Sequence, residues 1–344
     1  MSIMTAQHLY DMMQPLKLTP EEENMIIDEV DRILGETFAA HELFVANGRE
    51  LSKDEWKYIK SKENIRAYRS TGNNSSGVIG TSVSSLSTPI EISKPANLPM
   101  VVATGTLAGT VEDAVFGALG YTESLTRRRD ALTKDEYDAT KILATIHRPT
   151  PQEPYRQLVV KWATKSIGAL LRVRDAVVFE ATGLTVDSSG DPVAYYIYHS
   201  IDNIPRITGL GHLDVVRINI SKCTIARPYD DTSIEFFARG FLDTKGMLAE
   251  GRGVNTIYTD YVLAAIHVVE CAYIKKLIWF MNTKRQTNNQ FLTTTSSSVE
   301  KKIPIEVSRS FDMKLKQLTF CVRCLLEAKQ IPARDIALLE LTTP

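Results

Sequence analysis

Residues 174–183 read RDAVVFEATG. In an extended strand, successive side chains point to opposite faces. Arg174, Ala176, Val178 and Glu180 therefore share one face, and Asp175, Val177 and Phe179 the other. The segment belongs to a series of strand candidates at 157–165, 171–181, 193–202, 215–227 and 233–243. Polar turns fall at Ser188-Ser189-Gly190-Asp191 and Pro228-Tyr229-Asp230-Asp231. Close spacing with polar turns predicts an antiparallel, meander-like sheet. A long helix is expected next, over about 259–281, with Val262, Ile266, Val269, Tyr273 and Leu277 striping one side.

Upstream, Thr19-Pro20-Glu21-Glu22 carries the signature of a helix start. Thr19 can cap, Pro20 suits the first helical position and Glu22 completes a capping box. Two short strands are expected within 56–70, joined at Glu63-Asn64, and strand-like sequence resumes at 98–105. A short helix over 110–119 has Thr110 as its cap and Gly120 as its stop. Residues 137–146 suit either a short helix or a strand. Between them, 70–88 is low in complexity: 15 of its 19 residues are Ser, Thr, Gly or Asn. So little apolar surface cannot offset ordering entropy, which predicts a flexible loop inside a domain.

The 344 residues carry 40 Lys+Arg and 41 Asp+Glu. That balance argues against a generally basic nucleic-acid binder and against an acidic disordered chain. Cys223, Cys271, Cys321 and Cys324 make no disulfide framework in a chain of this length, which suggests a reducing, cytoplasmic setting. The N-terminus lacks the apolar core and small-residue cleavage site of a signal peptide. The most apolar long stretch, 261–281, contains His267, Glu270, Lys275 and Lys276, so it reads as a buried helix and not a membrane span.

The element order is that of a helix grip, and the residues themselves resemble START-like lipid-transfer domains. The matching stretches are Trp56-Lys57 with IRAYR (65–69), GTLAGTVEDAVFGAL (105–119), RDAVVFEATG (174–183), HSIDNIP (199–205), VVRINISKCTIARP (215–228) and FLDTKG (241–246). The resemblance runs from about residue 50 to 281 and rests on the joint order of motifs. HVVECAYIKKLIWFM (267–281), followed by a polar linker and a cysteine-bearing tail, is similar to proteins that fuse such a domain to a FYVE-type zinc finger. Only one C-x-x-C is present here, Cys321 and Cys324, so the finger is degenerate: a structural zinc needs four ligands.

The resemblance implies an α+β helix-grip fold, a curved antiparallel sheet around a long C-terminal helix enclosing a hydrophobic cavity. The implied organisation is a helical segment at 1–49, the START-like domain at 50–282, a polar linker at 283–310 and a tail at 311–344. The resemblance also suggests that the Arg174 face looks into the cavity. Glu180 and Lys161 then match positions where relatives place a charged pocket pair; the alternative is that one or both point outward on a solvated convex face. Arg174-Asp175 reads first as a structural ion pair or turn anchor near the strand start, with ligand contact the alternative. Val178, Tyr196, Tyr198, Arg239 and Ile266 complete the candidate ligand-binding set, with Arg239 open between a place inside and a charged solvated face. His267 and Cys271 share a helix face, but Cys271 reads as a small buried hydrophobe.

None of the common catalytic or nucleotide-binding motifs is present in the required context. The function expected is therefore non-enzymatic binding of one lipid or sterol-like ligand, with intermembrane transfer and transient membrane contact following from the resemblance. No cofactor, metal or nucleic acid is expected. A scaffold with a filled cavity, binding a protein partner through its tail, is the alternative, and an enzyme using the cavity stands behind both.

Overall fold

The computed structural model describes residues 6–71, 90, 93–133, 137–166, 172–245, 252–286, 298–306 and 313–342. The low-complexity stretch from 72 onward lies outside them. Two helices open the chain, α1 (Ala6–Met12) and α2 (Pro20–Ala46). Thr19 caps α2 as expected: its hydroxyl accepts from the Glu22 N–H at 3.3 Å, and Glu22 accepts from the Thr19 N–H at 2.9 Å.

Three strands follow, β1 (Trp56–Lys62), β2 (Ile65–Ser70) and β3 (Val101–Ala108), then helices α3 (Val111–Ala118) and α4 (Glu123–Thr133). The meander is β4 (Ala139–His147), β5 (Gln157–Lys165), β6 (Arg174–Val186), β7 (Pro192–Ser200), a two-residue β8 (Val216–Arg217), β9 (Asn219–Asp230) and β10 (Ser233–Asp243). Residues 137–146 thus settle as strand. The sheet order is β1-β2-β3-β10-β9-β7-β6-β5-β4, with β8 alone parallel, against the start of β6. From β4 to β10 the order is that of a meander; β3, β2 and β1 then extend it beyond β10. The fold is α+β, a curved antiparallel sheet gripping C-terminal helices.

Alternation along the strands sorts the core into two layers. Val177, Phe179, Ile197, Ile225 and Phe237 face α2 and meet its Ile26, Val30, Ile33 and Phe44. Ala176, Val178, Ala194, Tyr198, Ala226 and Phe236 face the other way, toward α3 and the C-terminal helices. The face opposite the grip is therefore covered by a 27-residue helix and is not a solvated convex surface.

The expected helix over 259–281 is longer and broken. It comprises α5 (Arg252–Ala264), a 3-10 turn (Ala265–His267) and α6 (Val268–Gln286). The tighter turn ends where α3 crosses α6 at backbone contact. Lys275 and Lys276 are buried there, each with partners: Lys275 Nζ donates to the Phe116 and Leu119 carbonyls at 2.6 and 2.9 Å, and Lys276 Nζ lies 2.6 Å from Asp113. Lys275 sits at the negative, C-terminal end of α3, where a cation is favoured, and Lys276 reaches the first turn through the carboxylate of Asp113, which suits the positive end. Among the described residues, no helix is long and apolar enough to cross a membrane.

The linker expected over 283–310 contains a strand, β11 (Ser298–Glu306), which pairs with β12 (Met313–Cys321). The overlooked signal is alternation in SVEKKIPIE, where Val299, Lys301, Ile303 and Ile305 share a face. Two helices, α7 (Val322–Gln330) and α8 (Ala333–Thr342), follow. Ile303, Phe320 and Ala328 bury against Ile274, Leu277 and Phe280 of α6, so the tail is seated on that helix.

Gly117 marks the α3–α6 crossing. A Cβ there would lie 1.8 Å from the Val268 carbonyl oxygen. In an unencumbered helix, Gly→Ala gains up to about 1 kcal/mol. Here the expected sign is reversed: Gly117→Ala should lose about 1–3 kcal/mol through overpacking. Urea denaturation reads the sign directly, and a stabilised variant would mean that the helices are not in backbone contact.

Candidate functional site

Glu180 lies mid-strand in β6, with 0% of its surface exposed. Burying a carboxylate is costly unless it is paired and hydrogen-bonded. Four donors meet it. Arg129 grips it with two bonds, Nη1 to Oε1 at 2.7 Å and Nη2 to Oε2 at 3.1 Å. Lys161 Nζ donates to Oε2 at 2.7 Å, Gln157 Nε2 to Oε1 at 2.8 Å, and the Tyr196 hydroxyl to Oε2 at 3.3 Å. Burial alone would push the Glu180 carboxyl up, but the charges of Arg129 and Lys161 and their hydrogen bonds outweigh it and hold it at about 2. It is a carboxylate throughout the neutral range.

Arg129 is itself saturated. Besides Glu180, it donates from Nε to Asp130 at 3.0 Å and from Nη1 to the Ala118 carbonyl at 2.9 Å, while Nη2 lies 2.9 Å from Asp130. Burial works against its charge, yet Glu180, Tyr196 and Asp130 hold its pKa well above the usual guanidinium value. A guanidinium so committed positions its neighbours and has little hydrogen-bonding capacity left for a ligand.

The charged cluster backs onto a cavity of about 70 Å³ between the inner sheet face and the α5–α6 helices. Arg129 and Tyr196 belong to both. The apolar wall uses small side chains: Ala114 and Ala118 of α3, Ala194 and Ala226 of the sheet, and Ala264 and Ala265 beside the 3-10 turn. The polar wall is Tyr198, Lys222, Thr224 and Tyr261. Lys222 and Thr224 are inner-face neighbours on β9, two residues apart. The Lys222 ammonium stands 3.6 Å from the Tyr261 ring centroid and 5.1 Å from that of Tyr196. Thr224 Oγ1 is buried with no hydrogen-bond partner among the described residues.

The structure distributes the sequence candidates unevenly. Lys161, Glu180 and Tyr196 form the buried cluster, and Tyr196 and Tyr198 line the cavity. Val178 and Ile266 lie in the same apolar layer without lining the cavity. Arg174 stays at the strand start, where Nη1 donates to the Arg172 carbonyl at 2.5 Å. Its neighbour Asp175 is a structural anchor for Arg217, at 2.9 and 2.7 Å, and for the Trp162 indole, at 2.9 Å. Arg239 is on the opposite face. It shares the side of β10 with Phe237 and Phe241, and its Nη2 lies 2.8 Å from Glu36 of α2.

Arg129, Gln157, Lys222 and Thr224 were not singled out from the sequence. Arg129 sits in ESLTRRRDALT, which reads as a solvated helix. For Lys222 and Thr224 a signal did exist: both share alternation parity with Ile220 and Ala226, which face the inner core.

Glu180 gives a pH-dependent stability whose sign is determined. Its folded pKa of about 2 lies below the ordinary value of 4.5, so its contribution is complete above pH 4.5 and lost as pH falls toward 2. Glu235, held at about 2 against burial by hydrogen bonds from His41 and Arg49, adds to the same acid limb. Glu180→Gln should cost about 3–5 kcal/mol at pH 7, because it leaves two buried cations without their anion. It should also flatten the acid limb. Urea denaturation from pH 7 to pH 2.5 (~1 kcal/mol resolves the difference) tests both; equal slopes for variant and wild type would remove Glu180 as the source.

No family model matches the chain, and no curated protein does. Solved structures to which the chain is similar include the lipid transfer and protein localization domain of human StarD13, at 12% identity and a TM-score of 0.40, covering 66% of this chain and 91% of that one. Human StAR-related lipid transfer protein 5 is similar at 12% identity and a TM-score of 0.41, covering 70% of this chain and 95% of that chain. A STAR-related lipid transfer protein from Xanthomonas axonopodis is similar at 15% identity and a TM-score of 0.39, covering 62% of this chain and 99% of that fragment.

Proposed function

We propose that this protein binds a single lipid or sterol-like amphiphile, unchanged, between the inner sheet face and α5–α6. The observation that carries this reading is the Thr224 hydroxyl, buried in the cavity wall with no hydrogen-bond partner among the described residues. Nearly all buried polar groups are hydrogen-bonded, so an orphan in a cavity wall calls for a partner from outside the chain. A hydroxyl or a headgroup oxygen reaching Thr224 would also lie beside the Lys222 ammonium. The apolar remainder would face the alanine wall, each buried CH₂ contributing about 0.8 kcal/mol.

The cavity of about 70 Å³ is too narrow for a whole lipid, so loading requires the helix lid to swing. The 3-10 turn at Ala265–His267 supplies a natural articulation. On its outer side the lid is tied to β1 by exposed contacts, Lys60 to Asp260 and Lys62 Nζ to His267 at 2.9 Å. The exposed Lys60–Asp260 ion pair contributes about 0–1 kcal/mol, little enough to break during uptake. The same small volume favours a second reading, a scaffold whose cavity stays filled by its own side chains.

Native mass spectrometry of the purified full chain, followed by solvent extraction, separates the two. Stoichiometric lipid, or uptake from mixed phospholipid–sterol vesicles, is the expected result. Thr224→Val should then weaken retention of the recovered lipid about three- to tenfold, the worth of one hydrogen bond. A folded protein that carries no lipid and takes none from vesicles would leave the scaffold reading.

A further inference from the structure

Cys321 and Cys324 lie away from the cavity, at the corner where β12 turns into α7. Cys321 ends the strand opposite Ser298 of β11 and is also the N-cap of α7, with φ −69° and ψ 144°. That double role aims its sulfur back over the helix start. Cys321 Sγ accepts from the Cys324 backbone N–H at 3.1 Å and lies 2.7 Å from Cys324 Sγ. Both residues are part-exposed. The other two thiols contrast with them: Cys223 and Cys271 are fully buried, and burial pushes each up to about 12.

The corner is built on rigid support. Phe320 and Ala328, on either side of the pair, bury against Leu277 and Phe280 of α6. Sulfur–sulfur approach is therefore imposed by the backbone and does not wait for a loop to close. Among the described residues no group of three or more His, Cys, Asp or Glu is assembled around the pair.

We propose that Cys321 and Cys324 form a redox-active dithiol that reduces low-molecular-weight disulfides of the glutathione type, with Cys321 attacking and Cys324 resolving. The Cys321 thiolate attacks one sulfur of the disulfide, forming a mixed disulfide and expelling one thiolate. The Cys324 thiolate then attacks the Cys321 sulfur, forming the internal disulfide and expelling the second. The two protons given up by the cysteines end on the two thiols released, so one dithiol is oxidised and one disulfide reduced. Cys321 takes the attacking role on geometry: its sulfur sits at the positive end of α7, accepts from the Cys324 backbone N–H and lies in hydrogen-bond contact with the Cys324 thiol. Those two hydrogen bonds, the side-chain one first, also lower its pKa.

Peptide mapping after acid quench and alkylation tests this on the full chain equilibrated with reduced and oxidised glutathione. The expected product is an internal Cys321–Cys324 disulfide that reverts in excess reduced glutathione, with Cys223 and Cys271 alkylated only after denaturation. Cys324→Ser should trap glutathione on Cys321. Cys321→Ser should take it up on Cys324 roughly tenfold more slowly. An ordinary exposed pair would carry glutathione on both sulfurs with no internal bond, and that outcome overturns the proposal. So does a wild-type pair that stays reduced in pure oxidised glutathione, an observation independent of either variant's folding. Equal rates in the two variants overturn the assignment of Cys321 as nucleophile.

Discussion

A single buried carboxylate organises the interior. Glu180 cannot be ionised in the core without its partners, and those partners come from different elements: Arg129 from α4, Lys161 and Gln157 from β5, Tyr196 from β7. Arg129 extends the network by donating to the Ala118 carbonyl at the last turn of α3. That helix end also receives Lys275 from α6, whose ammonium is pushed down to about 8 by burial. Two cations on one set of orphan carbonyls satisfy what α3 leaves unpaired. The position of α3, of α6 and of the cavity they border thus depends on charges that only the folded chain can bring together.

The two faces of the sheet use charge differently. On the inner face it is concentrated around Glu180 and beside the cavity. On the outer face, under α2, it locks the cover: Glu235 takes His41 Nε2 at 3.0 Å and Arg49 Nε at 2.7 Å, and Arg239 meets Glu36. Both sets interrupt apolar layers, and breaking either leaves an uncompensated buried charge. This division leaves the inner wall free to be built from alanines, where space is needed, while the outer face is filled by Phe179, Phe237 and Phe44.

The tail belongs to the same architecture. In it, β11, β12 and α7 bury Ile303, Phe320 and Ala328 against α6. The helix that borders the cavity on one side therefore carries the dithiol corner on the other. Lys301 Nζ, 2.5 Å from Glu270, adds a polar tie between the hairpin and α6.

What the sequence by itself determined was membership of faces. Period-two alternation groups Ala176, Val178 and Glu180 in β6, Tyr196 and Tyr198 in β7, and Phe237 with Arg239 in β10, because a strand admits no other arrangement. Capping chemistry likewise placed the starts of α2 and α3. Which face became the cavity wall was decided only by tertiary structure. Alternation has no sign: Arg239 and Glu180 are both charged and mid-strand, and one faces α2 while the other faces the inner layer and Arg129 of α4, according to which helices cover each side. Arg129 shows the same limit on a helix. Its three-arginine run looks solvated until the Glu180 carboxylate, 51 residues away in the chain, supplies the partner that makes its burial favourable. Distances in sequence carry no information about such pairs; the packing that removes water around them does.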